Sequence, residues 1–295
     1  MAKRILSASE SSELRSALHV AVLHALVSSR RWEPGDLIFQ GGTSLHLVHG
    51  SPRFSEDLNF LVKSSLNLDP IGASIQARLG KSSGIPSDAK LLVTKAKDGD
   101  NPHAFDVCIG GPSIIGSVRV KVELWQAPAR AMESLSVVVA LVRVTSGPTA
   151  GAQAFIPAAR PREIYADKVF ALAARACLKP RDVFDLHWLR EHKQDLHCAA
   201  RDLAIRLETY PNESPVAWIE KARARKEALP LSAESIQRDL ARWLPSSWRI
   251  SPEAVQEMID ASVLALQDGI VQMELLQQDE SAEDAERWRG RVALS

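Results

Sequence analysis

Two runs hold the residues best suited to chemistry. Ile38-Phe39-Gln40-Gly41-Gly42-Thr43-Ser44-Leu45 is followed by Arg53-Phe54-Ser55-Glu56-Asp57-Leu58-Asn59-Phe60. The pattern predicts a strand, a tight glycine turn, a short helix, and a second strand carrying a carboxylate. Polyphosphate needs several backbone N–H groups aimed at one place with no side chain in the way. Glycine permits that approach, and a helix N-terminus adds the positive end of its dipole. Gly41 and Gly42 stand at that point, and Thr43 and Ser44 offer hydroxyl donors. A Gly-Gly pair between strand and helix serves equally as a plain tight turn, so its company decides.

That company is partly acidic. Residues i and i+2 of a strand point to the same side, so Asp57 and Asn59 share a face while Leu58 and Phe60 enter the core. A carboxylate there binds Mg²⁺ through oxygen, and an amide oxygen ligates without charge. Lys121 and Glu123 repeat the spacing on Ser117 to Leu124, where Val118, Val120, Val122 and Leu124 alternate with charged residues. If that strand neighbours Leu58–Val62, Glu123 becomes a further acidic ligand. Lys121 then holds a phosphate or pairs with Glu123. Both pairs also read as the solvent face of an amphipathic strand.

A third group lies downstream. Lys168 and Arg175 are seven apart on one helix face, and Asp182 and Asp185 are three apart on the next. Exposed pairs of this kind contribute about 0–1 kcal/mol. A buried cluster would instead mark a site. His187, His192 and His197 are spaced by five, which gives no shared metal face. Trp218, Trp243 and Trp248 read as packing residues before base-stacking ones. The basic run Lys221-Ala222-Arg223-Ala224-Arg225-Lys226 reads as a solvated helix face, with a phosphate-backbone contact as the sharper alternative.

The elements that must position these residues follow from periodicity. Ser7 to Glu10 fits a capping box, and Leu14, Leu18, Val22 and Leu26 recur at i+4 to mark a first helix. Strands are expected at Leu37–Phe39, Leu58–Val62, Ala89–Thr94, Ala104–Ile109 and Ser117–Leu124, with a buried one at Leu135–Val144. Gly147 to Gly151 is the linker candidate, and after Pro161 helical patterns replace strands. The expected architecture is α+β: a mixed domain over 1–150 and a helical domain over 151–295. In the latter, Ser251-Pro252 opens a long helix with an apolar stripe from Val255 to Met273, and Trp288 is a candidate to dock the tail.

Composition excludes several classes. Lys+Arg and Asp+Glu both total 36, the net charge is zero, and 45% of residues are apolar. The chain is too apolar for disorder and has no general basic field, so any nucleic-acid contact must come from a local patch. Cys108, Cys177 and Cys198 form no Cys-x-x-Cys pair, which argues against a zinc knot and suits a reducing cytoplasm. No signal peptide and no membrane span are expected.

In this order, Gly41-Gly42-Thr43-Ser44-Leu45, Arg53 to Phe60, Lys121-Val122-Glu123, Asp167-Lys168 and Arg181-Asp182-Val183-Phe184-Asp185-Leu186 resemble the AbiEii-type nucleotidyltransferase toxin family of the DNA polymerase β-like superfamily. The resemblance spans about residue 35 to about residue 190. It implies a nucleotidyltransferase-like mixed sheet and an enzyme that moves NMP from an NTP to an acceptor hydroxyl. The implied acceptor is RNA, at a tRNA 3′ end. The implied setting is the toxin of a toxin–antitoxin or phage-defence pair, with a cognate antitoxin protein. Gly41 and Gly42 would cradle the triphosphate with Thr43, Ser44, Lys121 and Asp182. Asp57, Asn59 and Glu123 would hold two Mg²⁺ ions. Lys168 would contact the β- or γ-phosphate, and Asp185 would act in or shape the site. The departure is Asn59, where most of the family carries Asp; an amide there lowers metal occupancy or slows the chemistry. Two other readings stay open: a catalytically weakened module that binds a nucleotide or partner, and NMP transfer to a small molecule.

Overall fold

The computed structural model describes residues 4–79, 90–95, 101–111, 114–143, 153–193, 196–245 and 247–292; for 8, 9, 114 and 279–292 it describes the backbone alone. The Gly147–Gly151 linker candidate and the Trp288 side chain lie outside the described residues. Two compact units divide at Arg160 and Pro161.

The first unit opens with β1 (Arg4–Ile5) and α1 (Ala8–Val27). The capping box forms at the start of α1. Ser7 Oγ accepts from the Glu10 amide at 3.2 Å, and Glu10 Oε2 accepts from the Ser7 amide at 2.9 Å. Then come β2 (Leu37–Gln40), α2 (Gly41–Leu47), β3 (Leu58–Lys63), α3 (Ile71–Leu79), β4 (Lys90–Lys95) and β5 (His103–Gly110). The unit ends with β6 (Ile114–Ile115), β7 (Val118–Ala127), α4 (Ala129–Ser134), β8 (Val137–Arg143) and β9 (Gln153–Ala159).

Seven strands form one mixed sheet in the order β4-β5-β7-β3-β2-β9-β8, and β1 pairs with β6 apart from it. Within the seven-stranded sheet the β3–β7 and β2–β9 pairs are parallel and the rest antiparallel; the β1–β6 pair is parallel. Alternation sends Leu58, Phe60, Val120, Val122, Leu124 and Val107 to one face, against Leu18, Val22 and Leu26 of α1 and Ile71, Ile75 and Leu79 of α3. Each such side chain contributes about 1.5–3 kcal/mol when fully buried. Phe39 and Phe60, opposite one another across β2 and β3, stack with centroids 5.1 Å apart. The apolar face of β3 and β7 is thereby pinned, which fixes what their other face presents.

Two features differ from expectation. The pattern of Leu135–Val144 predicts a buried strand. Instead β8 is the outer strand of the sheet, with Val139 69% and Leu141 40% exposed. Beyond residue 150, β9 is hydrogen-bonded to both β2 and β8, so the first compact unit runs on to Arg160.

The second unit is helical among its described residues: α5 (Pro161–Ala174), α6 (Pro180–His192), α7 (Ala200–Thr209), α8 (Pro215–Ala228), α9 (Ala233–Leu240) and α10 (Pro252–Val292), with a short 3₁₀ turn at Pro230–Ser232. In α10, Val255, Ile259, Leu266, Ile270 and Met273 are buried, and the helix packs along α5 to α9. Trp218 is fully buried and donates its indole N–H to the Phe170 carbonyl at 3.0 Å. No described helix is long and apolar enough to cross a membrane.

Candidate active site

The polar face of the first unit's sheet is built by register. Gln40 of β2 lies opposite Asn59 of β3, and Asn59 lies opposite Glu123 of β7. Two residues back along β7, Lys121 makes an ion pair with Glu123. Lys121 in turn lies opposite Asp106 of β5, which Arg119 holds through Nε and Nη2, both at 2.8 Å. The structure therefore joins Asn59, Lys121 and Glu123 on one face.

The glycine turn abuts this row. Gly41 has φ +79°, in the left-handed region, and a Cβ there would come within 3.3 Å of Asn59 Nδ2. Gly42 is constrained differently. A Cβ on it would sit 2.2 Å from Nη2 of Arg53 and 3.2 Å from Ser55 Oγ. Thr43 and Ser44 are fully buried. The Thr43 hydroxyl donates to the Asp57 carbonyl, so it is already engaged. Ser44 Oγ is buried and has no hydrogen-bond partner among the described residues.

Asp57 ends an irregular stretch before β3, and side chains fix three carbonyls of that stretch, those of Phe54, Glu56 and Asp57. Arg53 Nη1 donates to Phe54 O at 2.8 Å, His19 Nε2 to Glu56 O at 2.9 Å, and Thr43 Oγ1 to Asp57 O. Asn59 Nδ2 makes a longer contact with Asp57 O at 3.4 Å. Buried carbonyls need such partners, because an unpaired one costs about 1–3 kcal/mol. Burial drives the His19 pKa down to about 4, so the ring is neutral and donates through Nε2. Burial also lowers the pKa of His46, whose Nδ1 lies 2.7 Å from Ser51 O. Neither Arg53 nor His19 carries a role in the sequence reading. The available signals were His19 among the apolar residues of α1 and an Arg at the head of the second run.

The oxygen-bearing residues here suit a hard cation: the Asp57 and Glu123 carboxylates with the Asn59 amide. Among the described residues, no three His, Cys, Asp or Glu side chains gather in a way that could hold a metal. Asn59 and Glu123 offer an amide and a carboxylate oxygen side by side, and a divalent ion bound with a nucleotide is usually held by one or two carboxylates and completed by substrate oxygens and water.

The second unit holds a buried charge cluster. Lys168 Nζ of α5 lies 2.6 Å from Asp182 Oδ1 and 2.8 Å from Asp185 Oδ2 of α6, and all three residues are buried. Arg175 pairs with the other oxygen of Asp182, whose charge raises the Arg175 pKa. The helical spacing of the two acids brings both onto one ammonium. A neighbouring network joins Arg206 to Glu163 at 3.1 Å, Tyr210 to Asp167 at 3.0 Å and Arg162 to Asp202 at 3.0 Å. The basic run on α8 is occupied inside the unit: Lys221 pairs with Glu213, Arg223 with Glu274, Lys226 with Gln267, and Arg225 caps the Leu172 and Arg175 carbonyls.

The sequence profile of the nucleotidyl transferase AbiEii toxins, a type IV toxin–antitoxin system, matches residues 25–260. The chain belongs to the AbiEii family. It is accordingly a nucleotidyltransferase of a toxin family whose members generally use a divalent metal. No curated protein sequence matches it. Among solved structures, the fold is similar to JHP933 from Helicobacter pylori, with a TM-score of 0.55 and 18% identity over 95% of this chain and 100% of that one. It is also similar to a nucleotidyltransferase from H. pylori, at 0.54 and 17% over 92% and 98%. A third is MenT4, the nucleotidyltransferase toxin Rv2826c from Mycobacterium tuberculosis H37Rv, at 0.54 and 15% over 88% and 85%. At these identities the likeness speaks to the fold.

Proposed function

We propose that this AbiEii chain transfers NMP from an NTP to the 3′-hydroxyl of an RNA, with tRNA as the acceptor class, as a toxin restrained by a cognate antitoxin. The observation that carries the reading is the row Asn59–Glu123 beside the Gly41 turn, with Asp57 entering the same strand. In the reaction the acceptor oxygen bonds to the α-phosphorus, the bond to the bridging oxygen breaks, and pyrophosphate leaves with the electron pair. Asp57 takes the proton of the attacking hydroxyl. The backbone of Gly41 and Gly42 receives the phosphates, where no Cβ obstructs approach. Ser44, whose hydroxyl has no partner among the described residues, donates to the nucleotide.

Mg²⁺, held by Asp57 and Glu123 with the Asn59 oxygen, supplies charge neutralisation at the phosphates when bound. Lys121 balances Glu123 and reaches the phosphates from β7. Within the second unit, the ion pairs of Lys168 with Asp182 and Asp185 hold its ammonium in a fixed position.

Incubation with each α-labelled NTP, Mg²⁺ and total tRNA tests the proposal, beside an Asp57→Ala control. Label on RNA that disappears in the control is expected, and an undiminished rate in Asp57→Ala would sink the assignment. Asn59 favours one alternative, a module that binds nucleotide without turnover. Asn59→Asp separates the two. A gain from no activity identifies a weakened enzyme, whereas activity already present and lost on substitution identifies an amide tuned for its own chemistry.

A further inference from the structure

Trp248 of the second unit is 46% exposed. Trp218 shows what packing does with such a ring in the same unit: it is fully buried, and its indole N–H is paired with the Phe170 carbonyl. A ring left half in water forgoes much of what its burial would contribute. The position of Trp248 is nevertheless built. Arg181 and Phe184 are three apart on α6 and so are neighbours on one helix face. The Arg181 guanidinium lies over the Trp243 ring, 4.3 Å from its centroid, and Phe184 meets Trp248 edge-on at 6.1 Å. Gln237 of α9 donates to the Ile250 carbonyl at 2.8 Å and fastens the far end of this segment. Both indoles therefore dock on neighbouring positions of α6. Arg249, next to Trp248, is exposed, and neither it nor Arg181 makes an ion pair among the described residues. Of the acids that flank these residues in sequence, Asp239 is taken by Arg242 and Asp182 by Lys168 and Arg175. Glu253, in the first turn of α10, is hydrogen-bonded to Ser251.

We propose that this face binds single-stranded RNA, and that it is a contact surface for the acceptor, a role that rests on the RNA-acceptor reading above. An unpaired base stacks on the open face of Trp248, and Arg249 and Arg181 take the phosphates beside it. Flat indole and guanidinium faces suit a base of any identity, and arginines without carboxylate partners suit the backbone. A chain of zero net charge needs such a local patch to hold RNA. The basic run on α8 is a poorer candidate, because its cations have partners within the unit. An acidic protein segment would meet the arginines but would gain nothing specific from the open indole.

Fluorescence anisotropy of a short labelled oligouridine, titrated with the full chain in the absence of NTP, tests the proposal. Binding should be tighter than to an RNA duplex of equal length, whose bases are closed to stacking. Trp248→Leu, which keeps an apolar contact with Phe184, should weaken oligouridine binding roughly 5- to 140-fold and leave its salt dependence unchanged. Arg249→Gln, at an exposed position, should reduce the slope of log K against log salt by about 0.7. Circular dichroism melts accompany both variants, and the Arg249→Gln slope decides should Trp248→Leu fail to fold. No oligouridine binding by the wild type, undiminished affinity in a folded Trp248→Leu, or an unchanged slope in Arg249→Gln would overturn the proposal. Polyglutamate that binds the wild type as tightly as oligouridine would also overturn it, in favour of an acidic protein partner. Unaltered RNA binding in both variants beside Asp57-dependent labelling of tRNA would remove this proposal alone. The expected losses in both variants, with no labelling of tRNA by the wild type, would remove the transferase reading alone.

Discussion

Lowering the pH should loosen the segment that carries Asp57, through His19. The ring is buried on α1, donates Nε2–H to the Glu56 carbonyl, and has a pKa of about 4 against 6.5 for an ordinary histidine. Its folded-state pKa lies below its unfolded value, so the unfolded chain binds the proton more readily. Stability from this group is complete above pH 6.5 and is lost as pH falls toward 4. With about 1.36 kcal/mol per pKa unit, the loss reaches roughly 2 kcal/mol at pH 5 and roughly 3 kcal/mol at pH 4. His46 shifts in the same direction and adds to the trend. The assay is urea unfolding at pH 7.5 and pH 5 for the wild type and for His19→Gln, which keeps a donor but cannot take up the proton. Other titrating groups are common to both proteins and cancel in the difference. The stability gap between them should change by roughly 2 kcal/mol in the variant's favour at pH 5. Parallel pH profiles would refute the assignment of His19 as a neutral, buried donor.

Gly42→Ala should abolish nucleotide binding while costing about 1–3 kcal/mol of stability, because its Cβ would lie 2.2 Å from Arg53 Nη2 and Arg53 is itself enclosed; calorimetric titration with NTP and urea unfolding read the two effects. Lys168→Ala leaves Asp182 and Asp185 without their shared ammonium and should destabilise the second unit by roughly 3–5 kcal/mol, so a thermal melt must accompany any loss of activity. Cys198, whose thiol burial pushes up to about 12, should resist iodoacetamide at pH 8 while exposed Cys177 reacts, as peptide mapping would show.

Much of the fold is legible where one residue pattern has one physical meaning. The strict alternation of Val118 to Leu124 and the i+4 stripe of α1 leave little choice of element or inward face. The exposure of β8 is different. A β-branched run reports that a strand forms, but whether its outer face is covered depends on a neighbour that local sequence does not name. In β9, Pro157 weakens the strand signal, and the parallel pairing with β2 is made by a partner more than a hundred residues away. The apolar spacing of Ile71, Ile75 and Leu79 does mark α3, which the reading passed over.

The site divides along the same line. Asn59 and Glu123 share a face by alternation alone, but their direct opposition depends on the β3–β7 register. The depth of Arg53 under Gly42 is a tertiary contact, and Arg223, Arg225 and Lys226 of α8 reach partners 51, 53 and 41 residues away. Periodicity carries no trace of them. The Lys168 cluster lay between a surface pair and a site on spacing alone, and its burial is a tertiary fact.

The most direct test of the central claim is sequencing of tRNA 3′ ends after incubation with the purified chain, Mg²⁺ and all four NTPs. Extra 3′-terminal nucleotides with the wild type, and none with Asp57→Ala, are predicted. Unaltered 3′ ends while label from the same NTPs accumulates on a small molecule or a protein would contradict it.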